Sequence, residues 1–171
     1  MDAMEAILTR RSIRRFTAQA VSGELIETLL RAAMAAPSAG NEQPWQFVVV
    51  QERSLLERIP SVHPHAQMAA EAPLAIVVCG DLDRETYKGF WVQDCSAATQ
   101  NLLLAARANG LGAVWCGVHP NEERQAGIRE LLSIPDGVMP FALLVIGHPN
   151  EEKPRADRYD PSRVHRGGWS D

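Results

Sequence analysis

Apolar positions recur along this chain in two rhythms. The first is helical. After Ser22, the residues Leu25, Ile26, Leu29, Leu30 and Ala33 fall three and four apart and stop short of Pro37, which predicts a helix over 23–35 with Ser22 as N-cap and Val21 as a hydrophobic staple. The longest such stretch is 90–108, where Cys95, Thr99, Leu102, Leu103 and Ala106 share one face and Asn109-Gly110 supplies the stop. A helix this apolar is expected at the centre of the fold. A third amphipathic segment, 122–132, follows His119-Pro120-Asn121 and opens on Glu122 and Glu123, which suits the positive end of a helix dipole.

The second rhythm consists of short, nearly continuous apolar runs at 45–51, 74–80, 113–118 and 141–147, of the kind found in strands covered on both faces. These four are expected to share one sheet, with Trp45 in the core. Ile7 and Leu8 close a short amphipathic start. Residues 9–16 then interleave arginines with apolar side chains and are expected to form an extended loop. The last segment, 149–171, is rich in Pro, Arg and Asp without apolar periodicity, so it is expected to wrap a partner subunit or fray. No linker or repeat divides 1–171, and a single domain is expected.

Composition narrows the classes. With 171 residues and 46% hydrophobic content, the chain can bury a substantial core. Lys plus Arg total 17 against 21 Asp plus Glu, well mixed along the chain, which argues against nucleic acid as a partner. No apolar run approaches the ~20 residues of a membrane span. Cys79, Cys95 and Cys116 are an odd set without paired spacing, and Met1-Asp2-Ala3-Met4-Glu5 lacks the basic start of a secretory signal, so a cytoplasmic setting is expected.

Candidate chemistry gathers in two loops. In an extended 9–16 segment, Arg10, Ser12 and Arg14 point the same way, with the two arginines ~13 Å apart. That span suits a ligand with a phosphate at one end, gripped by a guanidinium fork, and an electron-accepting ring at the other. The alternative is a solvated basic loop. Residues 37–44 form a stiff polar loop whose Ser38, Asn41 and Gln43 match the alternating donors and acceptors of a flavin's pyrimidine edge, or simply connect a helix to a strand. Elsewhere, His63 and His65 do not match a structural zinc pattern with Cys79, Cys95 or His119, so no metal site is expected. Cys116 reads as an inert buried thiol, Asp81 and Asp83 as the start of a turn, and Glu122-Glu123 and Glu151-Glu152 as solvated faces. There is no G-x-S-x-G elbow and no P-loop.

Three stretches together, Arg10-Arg11-Ser12-Ile13-Arg14-Arg15-Phe16, Pro37-Ser38-Ala39-Gly40-Asn41-Glu42-Gln43-Pro44-Trp45 and the Gly-Leu-Gly-Ala-Val-Trp-Cys-Gly-Val-His-Pro run at 110–120, resemble the signatures of the FMN-dependent nitroreductase family nearly end to end. The resemblance implies an α+β fold with a central, mainly antiparallel sheet flanked by helices, in an intertwined homodimer holding FMN at the subunit interface. It places Arg10, Ser12 and Arg14, with Arg11 contributing, along the phosphate, ribityl and pyrimidine parts of FMN in one subunit. Pro37, Ser38, Ala39, Asn41 and Gln43 would come from the other subunit. Trp115, Cys116, Gly117 and Val118 would lie against one ring face, with a main-chain amide near Gly117 donating to flavin N5, and Lys153 and Arg155 would complete a phosphate clamp.

The implied chemistry is ping-pong hydride transfer, with no catalytic side chain. NADH or NADPH visits transiently as donor, and a nitroaromatic, quinone or similar electron-poor molecule is the acceptor. Alternatives are a flavin reductase or dehydrogenase specific for one metabolite, and an FMN-binding protein without turnover. The chain departs from the family over 61–68, where His63, His65 and Gln67 are open as substrate contacts, and it lacks the insert of longer relatives, which implies an open pocket.

Overall fold

In a computed structural model of the chain, which describes residues 1–169, the longest helix does stand at the centre. The elements run α1 (Ala3–Thr9), α2 (Gly23–Met34), β1 (Trp45–Val50), α3 (Arg53–Leu56), α4 (Ile59–Val62), β2 (Leu74–Asp81), α5 (Trp91–Ala108), β3 (Gly112–Gly117), α6 (Glu122–Leu132) and β4 (Val138–Gly147), with short 3₁₀ turns between. The four strands form one antiparallel sheet in the order β1-β2-β4-β3. Helices cover it on both sides, giving an α+β architecture.

The continuous apolar runs are explained by that double cover. In β2 and β4, alternate residues enter opposite layers. Ile76, Val78, Leu144 and Ile146 pack with α2 and α5, while Ala75, Val77, Leu143 and Val145 pack with α3, α4 and α6. β1 differs from expectation, because it is an edge strand and leaves Gln46 and Val49 exposed. Helix α5 buries Cys95, Ala98, Thr99, Leu102, Leu103 and Ala106. Leu102 has no accessible surface, so truncating it to Ala would cost about 2–5 kcal/mol.

Local signals set most boundaries. Ser22 Oγ accepts from the Leu25 amide at 3.3 Å, and Val21 is buried against the helix it introduces. Asn121 Oδ1 caps α6 by accepting from the Arg124 amide at 2.8 Å. Thr9, expected in the extended loop, instead ends α1, and the segment becomes extended from Arg10 onward. It then runs beside β3: Ser12 bridges Ala113, and the Ile13 amide donates to the Ala113 carbonyl at 3.0 Å. A Cβ on Gly112 would sit 2.7 Å from Ile13 Cγ2, so this close approach requires glycine.

The chain after β4 returns to the same place, where the Asn150 amide donates to the Arg15 carbonyl at 2.9 Å. Of the segment 149–171, Ser170 and Asp171 lie outside the described residues. Helix α1 buries only Ala6 and leaves Met4, Ile7 and Leu8 exposed.

Candidate functional site

The outer edge of β3 organises the candidate residues. Val118 donates inward to the Phe141 carbonyl, whereas the Ala113 carbonyl accepts from Ile13 on the outer side. In an antiparallel ladder these directions alternate, so Ala113, Trp115 and Gly117 turn their main-chain groups away from β4. Ala113 and Gly117 stand ~13 Å apart along the strand. Ser12 lies beside the first, so the basic segment and the open edge form one continuous strip.

At the Ala113 end the strip is basic. A cleft of about 370 Å³ there is lined by Arg10, Arg11, Arg107, Glu151, Lys153 and main chain of β3, among others. Burial, and then the charges of Arg158 and Arg11, push the Arg10 pKa down, a crowding of like charge that an anion would relieve. Lys153 Nζ donates to the Ser12 carbonyl at 2.9 Å and sits 3.6 Å from Glu151. Arg11 is engaged with main chain: Nε donates to Pro154 O at 2.8 Å and Nη1 to Arg10 O at 2.6 Å, which ties the C-terminal segment to the basic loop. Arg155 lines a neighbouring cleft with Arg10, Arg11 and Tyr159.

Glu151 is not the solvated acid that its neighbourhood suggests. Its Oε1 accepts from the main-chain amides of Arg14 at 2.5 Å and Arg15 at 3.3 Å. The Arg14 amide is the main reason its pKa lies below the usual carboxylate range, with Lys153 helping. The Arg14 side chain is thereby left exposed, close enough to Cys116 for its charge to be felt at that thiol.

At the Gly117 end there is room. Gly117 is exposed, and a Cβ built on it meets nothing within 4 Å, so packing does not explain the glycine. Cys116 and Val118 turn their side chains into the opposite core layer and their main-chain groups toward β4, so they back the edge without offering it a polar group. Burial pushes the Cys116 thiol up, as befits an inert cysteine. Trp115 is half-buried edge-on to Phe141, at 5.7 Å between centroids. His119 packs 4.8 Å from Trp91 and faces Gln125 through Nδ1, and Asp81 Oδ1 caps a turn at the Asp83 amide.

His63 is fully buried, with Nε2 2.9 Å from the Gly117 carbonyl, which also accepts from Arg124 Nη1 at 3.0 Å. His65 and Gln67 are exposed.

The loop 37–44 is far from this strip within one chain. It enters β1, the opposite edge of the sheet, three strand spacings or ~14 Å from β3. It is also anchored at the first turn of α5, where Asp94 Oδ1 accepts from the Ala39 amide at 3.0 Å, whereas Arg107, beside Arg10, lies in the last turn. Those positions are ~20 Å apart along the helix. The loop itself is tightly held, with Ser38 Oγ accepting from the Gln43 amide and Gln43 Nε2 donating to Asn41 Oδ1, both at 3.0 Å. Gly40 has positive φ at no steric cost, but so do Asn41 and Gln43, two strained non-glycine positions of the kind found where backbone is aimed at something.

Comparison with known proteins decides the family. The Nitroreductase family model matches residues 7–62 and 60–148. The chain belongs to the nitroreductase family. A Methanothermobacter thermautotrophicus relative, provisionally named NADH dehydrogenase/NAD(P)H nitroreductase, is 53% identical over 99% of this chain and 88% of its own length. A Parabacteroides distasonis structure with the same provisional name superposes with a TM-score of 0.93 at 41% identity, covering 98% of both chains. A provisionally named nitroreductase from Desulfovibrio desulfuricans, solved in complex with FMN, gives a TM-score of 0.85 at 30% identity and covers 99% of both chains. As a nitroreductase family member this protein is an oxidoreductase, and its antiparallel sheet with flanking helices is the nitroreductase fold. Among the described residues no helix is long and apolar enough to cross a membrane.

Arg107, Arg124 and Glu151 escaped the sequence reading. Arg124 did carry a signal: a cation in the first turn of a helix opposes the dipole, so it needs another reason to be there. Glu151 carried none, since the Arg14 and Arg15 amides that it binds lie more than a hundred residues away.

Proposed function

We propose that the open edge of β3 holds FMN, with the phosphate at Arg10, Ser12, Lys153 and Arg155 and the ring at Arg14 and Trp115 to Val118. The single observation that carries this is Gly117, an edge residue with an outward main-chain N–H and empty space where a side chain would be. Cationic residues continue that edge into the cleft of about 370 Å³. When bound, FMN supplies the hydride chemistry, accepting electrons from NADH or NADPH and passing them on by a ping-pong route to a nitroaromatic, quinone or related acceptor. The protein binds the phosphate, holds the ring edge by main-chain hydrogen bonds and leaves one face open.

The second half of the cradle comes from another copy of the chain. Pro37, Ser38, Ala39, Asn41 and Gln43 lie in a hydrogen-bonded loop with Asn41 and Gln43 at positive φ, yet a sheet's width away from their own β3 edge, which supports a homodimer in which each loop serves the partner's strip. The exposed apolar face of α1 and the C-terminal segment beginning at 149, with Tyr159 77% exposed, fit the same assembly. We read 1–171 as one domain whose tail reaches the partner subunit.

The test is direct. Purified protein should be yellow, release FMN on denaturation, bleach anaerobically with NADH or NADPH and recover colour with an electron-poor acceptor. A colourless protein that refuses added FMN overturns the proposal, and a flavoprotein bleached by neither nucleotide is a binding protein instead.

A further inference from the structure

We propose that His63 and Arg124 are positioning residues that occupy the Gly117 carbonyl, so that this edge presents the Gly117 N–H, and never that carbonyl, to the bound ring. The inference rests on the placement of FMN along β3. An outward-facing edge residue offers both an N–H and a C=O, and at Gly117 the two would compete for a ligand with alternating donors and acceptors. Here the carbonyl is fully occupied. His63 Nε2 lies 2.9 Å from it and Arg124 Nη1 3.0 Å, two donors for its two lone pairs.

Neither side chain is placed where packing alone would put it. Because a carbonyl only accepts, His63 must carry its proton on Nε2, and its buried Nδ1 then has no partner among the described residues. Burial holds this imidazole below its ordinary pKa, consistent with a neutral donor. Arg124 stands in the first turn of α6 beside Glu122 and Glu123, against the helix dipole, and turns back toward β3. A buried histidine with an orphan nitrogen and a guanidinium at the wrong helix end converge on one oxygen. That oxygen belongs to the glycine whose side-chain space is empty.

The occupied carbonyl has a chemical consequence. N5 of an oxidised flavin accepts a hydrogen bond, whereas N5 of the reduced ring carries a proton and donates. The Gly117 N–H and carbonyl belong to adjacent peptide groups joined through a glycine Cα that turns easily, so an unclamped carbonyl could swing toward N5 on reduction. With the carbonyl clamped, the edge favours the oxidised ring.

The experiment compares wild type, His63→Leu, His63→Gln and Arg124→Met as FMN-loaded proteins, reading the midpoint potential and FMN affinity. His63→Leu, which removes a donor without changing charge, should raise the potential and weaken FMN binding by about fivefold to tenfold. His63→Gln, which keeps an N–H donor, should restore most of both. Arg124→Met, at a half-buried position, should weaken FMN binding similarly, and it decides the matter on affinity should His63→Leu fail to fold. A folded His63→Leu with wild-type potential and affinity overturns the inference, as does an unchanged Arg124→Met affinity in the absence of folded His63→Leu. Wild type that refuses FMN overturns the site itself and this inference with it, so the two failures are distinguishable.

Discussion

Asp94, in the first turn of α5, and Glu42, in the loop before β1, lie within hydrogen-bonding reach of each other, and the oxygens they turn inward, Oδ2 and Oε1, are buried and meet no donor among the described residues. Their other oxygens hold the loop: Asp94 Oδ1 accepts from Ala39, and Glu42 Oε2 accepts from the Thr86 and Tyr87 amides at 2.7 and 3.0 Å. Two such carboxyls cannot both ionise comfortably, and a proton between them relieves the repulsion.

This pair makes stability fall with rising pH. Burial is the main reason the Asp94 pKa is raised, with Glu42 and Glu85 adding to it and the Ala39 amide opposing. The folded protein keeps a proton that the unfolded chain has already lost, so this contribution is intact in acid and disappears as pH rises from the usual carboxylate range through the raised pKa. Asp94→Asn keeps the acceptor for Ala39 and gives Glu42 a donor. At pH 8 the variant should match wild type or exceed its stability by about 1 kcal/mol, and its Tm should vary less between pH 5 and 8. Identical slopes in thermal melts would remove the pair from the account.

Glu151 should behave in the opposite sense. Its pKa is lowered, so its hold on the Arg14 and Arg15 amides is complete above the usual carboxylate range and is lost as pH falls through the lowered value. Glu151→Ala should therefore expose the C-terminal segment to protease at neutral pH faster than wild type, and wild type should approach that rate only in acid. Equal cleavage rates at neutral pH would show that the latch does not restrain the segment.

The elements that sequence made legible are those with local causes. Helices α2, α5 and α6 carry their periodicity, their N-cap Ser22 or Asn121 and their stops within a few residues, and β2 and β4 are apolar on both faces because both faces are covered. What was illegible depends on where distant segments meet. Nothing near Trp45 marks β1 as an edge, and α3 and α4 are too short for a period to register. Glu151 resembles any acidic surface residue until the chain folds back on Arg14. In sequence His63 matches no metal pattern and is open as a substrate contact, and only the fold, which brings the end of α4 to the end of β3, shows it facing Gly117.

Glycines offer a contrast that separates ligand space from packing. Gly117 has open space at its Cβ position and Gly112 meets Ile13, yet neither has the positive φ that would strain a substitution. Gly117→Val should change the stability of the FMN-free protein by no more than a neutral surface substitution does, about 0.5 kcal/mol, while abolishing tight FMN binding. Gly112→Ala should instead destabilise the apoprotein by about 1–3 kcal/mol through overpacking. A Gly117→Val protein that binds FMN normally would move the ring off this edge.

For Arg10 the discriminating ligand is riboflavin. If its guanidinium meets the phosphate, Arg10→Ala removes a charge-assisted hydrogen bond, about 1.5–3 kcal/mol, or roughly tenfold to a hundredfold in FMN affinity. Riboflavin affinity, lacking the phosphate, should change far less. Equal losses for both ligands in a fluorescence titration would contradict the assignment.

The distance between the basic strip and the 37–44 loop can be turned into a test of the composite site. In the proposed dimer, Arg10→Ala would damage the strip of the subunit that carries it, whereas Asn41→Gly would keep the positive φ but delete the amide that subunit offers its partner. Each variant alone has two damaged sites per dimer. In a mixed dimer, the strip of the Asn41→Gly subunit is intact and faces the intact loop of the Arg10→Ala subunit, so one site is whole and the other carries both lesions. Unfolding and refolding the two variants together should therefore regenerate some tight, wild-type FMN sites that neither protein shows alone. If each chain built its whole site by itself, mixing would restore nothing, and the loop would have to reach β3 across the width of its own sheet.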